Sequence, residues 1–422
     1  MSVTRSVDPS SSRGGTTLVR YCSVAVAAAL FTIVVLAPRF CRAQDRDVLC
    51  SDGSGGFQGE SPAGVRVRVG AARNGTLALR ACEATLGWEK NTLTVASAVP
   101  QLDLDAFGVD LGLGFPVAAF QVKKSENDWC PEYRVYSLTK PSRLLRTISG
   151  GEFFNAADTD LDGRVEIWTN DAGAIRDFEN LTIGELDAPP AIVLRFERGR
   201  LLDVSSEFQS HFDQEISQVR KELDSEALRN FMNSDGKLSS NTQLSAERMH
   251  QLRGAKAKVL EIVWYYLYSG REEQAWRSLA EMWPTEDVDR IRAAIVSART
   301  RGIGAQVDGA SSGPPGRRNK RAQIFDAIRE SGGKQTGVTP PEPILLRYPP
   351  LNTPDQHSLP SEALVDLVID SAGKVRSAEA TGKATPADTL LVAAASGWRF
   401  IPAFRNGRAV ASRTRLAVSL KQ

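Results

Sequence analysis

In this 422-residue chain the sharpest chemistry-bearing pattern is Asp158-Thr159-Asp160-Leu161-Asp162-Gly163-Arg164-Val165-Glu166. Carboxylates at the first, third, fifth and ninth positions gather oxygen ligands around one tight turn. Gly at the sixth position permits the positive φ that wraps such a loop around a hard cation. Asp158, Asp160, Asp162 and Glu166 are therefore the candidate ligands, and Ca2+ the candidate ion, structural more than catalytic. An EF-hand places a bidentate Glu at the twelfth position, where this chain has Thr169, and Val165-Glu166-Ile167-Trp168 reads as a strand, not an exiting helix. A second reading needs no metal: an acidic hairpin whose aspartates cap their own turn.

Set between strands, the loop resembles the D-x-D-x-D-G loops of the FG-GAP and VCBS repeat families, a resemblance that implies calcium. Other chemistries have few residues to work with. The only histidines are His211, His250 and His357, too dispersed for a multi-histidine metal site, and no nucleophile is paired with a base. The expectation is a protein that is not an enzyme. Fifty-two Lys+Arg against 50 Asp+Glu leave a formal charge of +2, without the basic excess of a phosphate-coating protein, so no nucleic-acid partner is expected. Hydrophobic residues at 42% and charged residues at 24% set aside wholesale disorder and polytopic membrane classes.

The elements that must position the loop change character along the chain, which reads as an α+β multidomain protein. Residues 44–205 form a β-rich N-terminal domain: Val65-Arg66-Val67-Arg68-Val69 alternates with the period of a half-buried strand. Short runs follow at Leu77–Leu79, Leu93–Val95, Val117–Val122, Tyr133–Tyr136, Leu144–Ile148 and Ile192–Phe196. They suit a sandwich or one or two propeller-like blades.

Residues 206–302 turn helical. Phe208, Phe212, Ile216, Val219, Leu223, Leu228 and Phe231 predict one apolar face of a long helix, and Met249 to Leu267 a second ending at Gly270. Glu272–Met282 and a stretch from Thr285 to about Ala298 follow. The aromatics Trp264, Tyr265, Tyr266, Tyr268, Trp276 and Trp283 fit a packing core better than a peptide groove. Residues 303–342 are a Gly/Ser/Pro linker with basic residues Arg317, Arg318, Lys320 and Arg321 and a short amphipathic helix at Ile324–Ile328.

Residues 343–422 predict a small β-β-α-β unit. Val365–Asp370 alternates, Ser371-Ala372-Gly373-Lys374 turns, and Val375–Ala380 returns. Thr385-Pro386-Ala387-Asp388 opens a helix that stops at Gly397. Trp398-Arg399-Phe400-Ile401-Pro402-Ala403 leads to an Asn406-Gly407 turn and a closing strand. Tyr348-Pro349, VDLVIDSAGKV, Asp388 before an Ala-rich helix, WRFIPA, Arg405-Asn406-Gly407 and RLAVSL together resemble the C-terminal domain of the TonB family of energy transducers. The Glu-Gly of that family before the first strand is replaced by Glu362-Ala363-Leu364, the loop Asn352–Pro360 departs from it, and no long Pro-rich spacer precedes the unit.

What the resemblance implies is contact with outer-membrane TonB-dependent receptors in transmembrane transport, with the inner-membrane proton-driven motor complex as a further partner. The last strand would offer an exposed edge for β-strand pairing, through Arg413, Thr414, Arg415, Leu416, Ala417, Val418, Ser419 and Leu420. Val418→Pro is expected to abolish that pairing. The alternative is a soluble exported scaffolding or binding protein that reuses the fold without energy transduction.

Residues 1–43 join Arg5, Arg13 and Arg20 to an apolar run, Tyr21–Pro38, and to Cys41-Arg42-Ala43 with small-residue spacing for cleavage after Ala43. Signal peptide and membrane anchor both fit this segment, and membrane association would run through it. Either reading places the protein in the periplasm or cell envelope. There, two of Cys50, Cys82 and Cys130 are expected to pair, the sequence leaving open which two.

Overall fold

The computed structural model describes residues 48–72, 81–181, 189–238, 244–310, 323–328, 337–347, 362–381 and 386–419. The N-terminal segment 1–43, the strand expected at Leu77–Leu79, the basic residues at 317–321, Tyr348-Pro349, the Thr385 cap and Leu420 lie outside the described residues. No described helix is long and apolar enough to cross a membrane. Strands and helices are both abundant, in several sheets, as a mixed α+β chain requires.

Three antiparallel meanders build the β-rich region. The first runs through Phe57–Glu60, Arg66–Ala71, Cys82–Trp88 and Asn91–Val99. A second joins Cys50–Ser51 to Gln101–Val109, Val117–Lys123, Glu132–Ser137 and Leu144–Ile148. Phe154–Ala157, Glu166–Asn170, Ala191–Glu197 and Arg200–Asp203 form the third. The first two share an apolar core: Val67, Val69 and Leu86 of one meet Leu102, Phe107 and Phe120 of the other. That is the sandwich expected from the alternation, and Cys50–Cys82 is a disulfide that joins the two sheets, leaving Cys130 free.

The second sheet is apolar on its other face as well. Ala106, Val109, Ala119, Tyr133 and Val135 join Ile167, Ile192 and Leu194 of the third sheet in a core that continues into the helices. A strand covered on both sides has no polar face to show, which is why Gln101–Val109 is buried along nearly all its length.

The helix expected through Phe208–Phe231 is two helices, Gln209–Glu222 and Ser225–Met232. Leu223 is extended, and Asp224 caps the second helix by accepting from the Ala227 amide at 2.7 Å. A strong N-cap residue inside an apolar period thus wins over the period. The helix Ala246–Tyr268 is the centre of this layer, with Trp264, Tyr265, Tyr268 and, from the next turn of chain, Trp283 buried as core. Glu272–Met282 packs along it, and Val288–Arg299 packs on Glu272–Met282.

The C-terminal unit pairs Glu362–Ile369 with Val375–Ala380 and, on its other side, with Ser412–Ser419. The helix Pro386–Ala395 covers this sheet through Leu391 and Ala395, against Val365, Leu367 and Val418. Three short strands, Arg399–Ile401, Ala403–Arg405 and Arg408–Val410, intervene before the last one. Asn406 and Gly407, both at positive φ, make the tight hairpin their types predict. The expected helix at Ile324–Ile328 is replaced by a strand, Phe325–Asp326, running parallel to Ser412 and Arg413. Five residues cannot sustain a helix alone. Here the carbonyls of Ala411 and Arg413 accept the Phe325 and Ala327 amides instead, both at 2.9 Å, and the Arg405 guanidinium lies 4.5 Å from the Phe325 ring centre.

Candidate functional site

The acidic loop connects Phe154–Ala157 to Glu166–Asn170, with Ala157 opposite Glu166 at the base of the hairpin. Gly163 has φ +84°, the conformation its place in the pattern demands. Carboxylate oxygens of Asp158, Asp160 and Asp162 come within 4.8 Å of one another. Two oxygens opposite each other on a calcium ion stand about 4.6–5.2 Å apart, so the spacing suits that ion.

Backbone amides hold the loop in shape. Asp158 Oδ2 accepts from Gly163 N at 3.0 Å, Asp160 Oδ1 from Asp162 N at 3.3 Å, and Asp162 Oδ1 from Arg164 N at 2.9 Å. Trp168 Nε1 donates to Thr159 Oγ1 at 2.8 Å and ties the loop to the following strand.

Asp158 is the diagnostic residue. It is 1% exposed, and its Oδ1 is buried without a hydrogen-bond partner. Leaving a buried carboxylate oxygen unpaired is costly, and a cation is a partner that would satisfy it. Burial pushes the Asp158 carboxyl up to about 6, opposed by the Ser371 hydroxyl and the Gly163 amide and reinforced by the charges of Asp162 and Asp160. Burial also raises Asp160, with Asp162 adding to it.

Glu166 is placed differently from the three aspartates. It is buried on the following strand, with Oε1 3.4 Å from Arg195 Nη1 and Oε2 accepting from Thr159 N at 3.4 Å. Burial, with Asp160 close by, pushes it up to about 8 despite Arg195. Arg195 also holds Glu197 at 2.7 Å and Glu207 at 2.8 Å. Glu166 thus belongs to a buried ion-pair network behind the loop.

Sequence reasoning missed the residues that close the site from the C-terminal unit. Ser371 Oγ donates to Asp158 Oδ2 at 2.9 Å, Asp158 N donates to Asp370 Oδ2 at 3.1 Å, and Arg376 Nη2 donates to Thr159 O at 3.0 Å. Burial pushes the Asp370 carboxyl up to about 7, against the pull of the Lys374 amide. Two more charged contacts fasten the same surfaces. Lys374 Nζ reaches Asp105 Oδ1 at 2.6 Å, and Arg399 pairs with Asp103. Only the acids in the otherwise apolar QLDLDAFGV hinted that buried partners were needed. A cleft of about 700 Å³, walled in part by Gly163, Arg164, Arg198, Ser371 and Arg408, gives solvent a route to the loop.

The other expected site is the last strand. Ser412–Ser419 is paired along its length with Glu362–Ile369 in unbroken register. Because the Ala411 and Arg413 carbonyls face Phe325–Asp326, the alternation of a strand turns the N–H and C=O of Arg415, Ala417 and Ser419 to that same outer side. Beyond Arg413 no described strand occupies it. Thr414, Leu416 and Val418 direct their backbone groups to the inner ladder. Val418→Pro therefore breaks the unit's own pairing with Ala363, and Ala417 is the position that addresses the outer edge alone. Arg413, Arg415 and Ala417 are exposed and Val418 is buried; Arg415 also holds Asp366 at 2.7 Å.

Comparison with protein-family models, curated proteins and solved structures finds no match to this chain.

Proposed function

We propose that this chain is an exported cell-envelope protein whose C-terminal unit binds an extended segment of an outer-membrane transport receptor by adding it as a strand along Thr414–Ser419. The observation that carries the reading is the outer edge of Ser412–Ser419, with three outward backbone positions beyond Arg413 and no described strand beside them. Phe325–Asp326, already paired at the start of this edge, supports its capacity to take a strand. Coupling to the proton-driven motor complex of the inner membrane requires residues 1–43 to stay as an anchor. A calcium ion at the acidic loop is the proposed cofactor, in a structural role.

One observation favours the second reading, a soluble scaffold or binding protein without energy transduction. Lys374 and Arg399 are buried against Asp105 and Asp103, a firm seat for a unit that would otherwise swing free to reach a partner. The two readings separate by the mature N-terminus, read by mass spectrometry after fractionation of membrane and periplasm. Retention of residues 1–43 in the membrane fraction supports the transducer, whereas a soluble chain beginning at Gln44 supports the scaffold.

A further inference from the structure

The acidic loop and the hairpin turn of the C-terminal unit form one buried knot. Asp158, Asp370 and Ser371 are 1%, 0% and 5% exposed. Asp158 Oδ2 is shared by Gly163 N inside the loop and Ser371 Oγ outside it, so the carboxylate that shapes the loop also grips the hairpin. Its other oxygen, Oδ1, is buried without a partner in a cluster that includes Asp160 and Asp162. Asp370 turns Oδ2 to the Asp158 amide and Oδ1 to the amides of Ala372 and Lys374, at 2.9 Å each, so the shape of the turn depends on the same contact. Gly373 has no room to yield: a Cβ there would stand 1.9 Å from Phe400 O.

Without a cation, four carboxylates crowd this knot. Their mutual repulsion and desolvation work against the contact between Asp158 and the hairpin. An ion on Asp158, Asp160 and Asp162 removes that repulsion and fixes the Asp158 side chain in the orientation that receives Ser371. We propose that calcium bound by these three aspartates acts as a clasp that holds the C-terminal unit on the β-rich region through Ser371 and Asp370. The proposal rests on the calcium reading of the loop and extends it to control of the unit that carries the candidate receptor edge.

The test uses the full chain, stripped with chelator. Calcium chloride binding is followed by calorimetry, and amide exchange in the segment 370–376 by mass spectrometry with and without the ion. The clasp predicts calcium binding and at least a tenfold slowing of exchange in 370–376. Asp160→Asn should lose both effects, and Ser371→Ala should still bind calcium but lose most of the slowing. Calcium binding with unchanged exchange in 370–376 overturns the clasp and leaves the ion site standing. No binding at millimolar calcium, with the untreated chain folded by circular dichroism, removes the ion site and the clasp together.

Discussion

Ser371 donates its hydroxyl hydrogen to Asp158 across 213 residues of chain, at 2.9 Å and out of contact with water. This bond ties the C-terminal hairpin directly to the acidic loop. Ser371→Ala removes one of the two hydrogen bonds that the buried Asp158 Oδ2 accepts and should cost about 1–3 kcal/mol in urea unfolding of the calcium-free chain. Asp160 is exposed, and the hydrogen bond it accepts comes from within the loop, from the Asp162 amide. Asp160→Asn should leave calcium-free stability within about 0.5 kcal/mol while erasing the calcium-dependent rise in Tm, read by calorimetry.

The pair Lys374–Asp105 should behave as a buried ion pair. Asp105 also accepts from Tyr133 Oη at 2.7 Å and Ala156 N at 2.8 Å, so removing the lysine strands a charge that is otherwise well held. Lys374→Met should cost about 3–5 kcal/mol, and adding Asp105→Asn should recover part of it because the uncompensated charge disappears. A double-mutant cycle by urea denaturation checks this; equal losses in the single and double variants would place the energy in packing instead.

On the last strand, neighbouring prolines should act differently. Ala417→Pro removes an N–H from the outer edge and should leave the urea midpoint nearly unchanged while weakening capture of an extended receptor peptide at least tenfold. Val418→Pro removes an inner ladder bond and should destabilise the unit itself. Surface plasmon resonance with the peptide, beside unfolding curves for both variants, separates the two effects.

His211 gives the chain an acid-sensitive spot. It sits against Trp168 and Phe212, with ring centres at 5.2 and 5.3 Å, and Glu215 Oε1 stands 4.0 Å from Nδ1. Burial pulls its pKa down from 6.5 to about 4. Above pH 6.5 the imidazole is neutral folded or unfolded, and its contribution is fully present. As pH falls from 6.5 toward 4, the unfolded chain takes up a proton that the folded chain resists, and stability is lost. The wild type should therefore lose on the order of 2–3 kcal/mol more than His211→Gln across that window. Denaturation at pH 7 and pH 4.5 tests the difference, and parallel curves would reject it.

Cys50–Cys82 closes a loop with a sequence separation of 32. Removing it should cost about 2–4 kcal/mol by loosening constraint on the unfolded chain. Peptide mapping of the non-reduced chain should find these two cysteines linked and Cys130 open to alkylation once the fold is relaxed. Linkage through Cys130 would contradict the arrangement of the first two sheets.

The sequence by itself determined what is local. The acidic turn with Gly163, the Asn406-Gly407 hairpin and the alternating strands follow from side-chain type and backbone preference over a few residues, so their signals lie side by side in the chain. Its period failed where a local competitor was stronger, at Asp224, and where an open edge offered Phe325 and Ala327 carbonyls that no helix of five residues could match. Only the tertiary structure decided which cysteines pair, that Glu166 faces Arg195, and that Asp103 and Asp105 receive Arg399 and Lys374. The same holds for Ser371 on Asp158. These contacts join residues from 29 to 296 positions apart, and what selects them is the removal of water from charges and hydroxyls when the sheets close. A turn such as Ser371-Ala372-Gly373-Lys374 reads as solvated in the chain because nothing next to it in sequence reveals the buried carboxylates waiting across the fold.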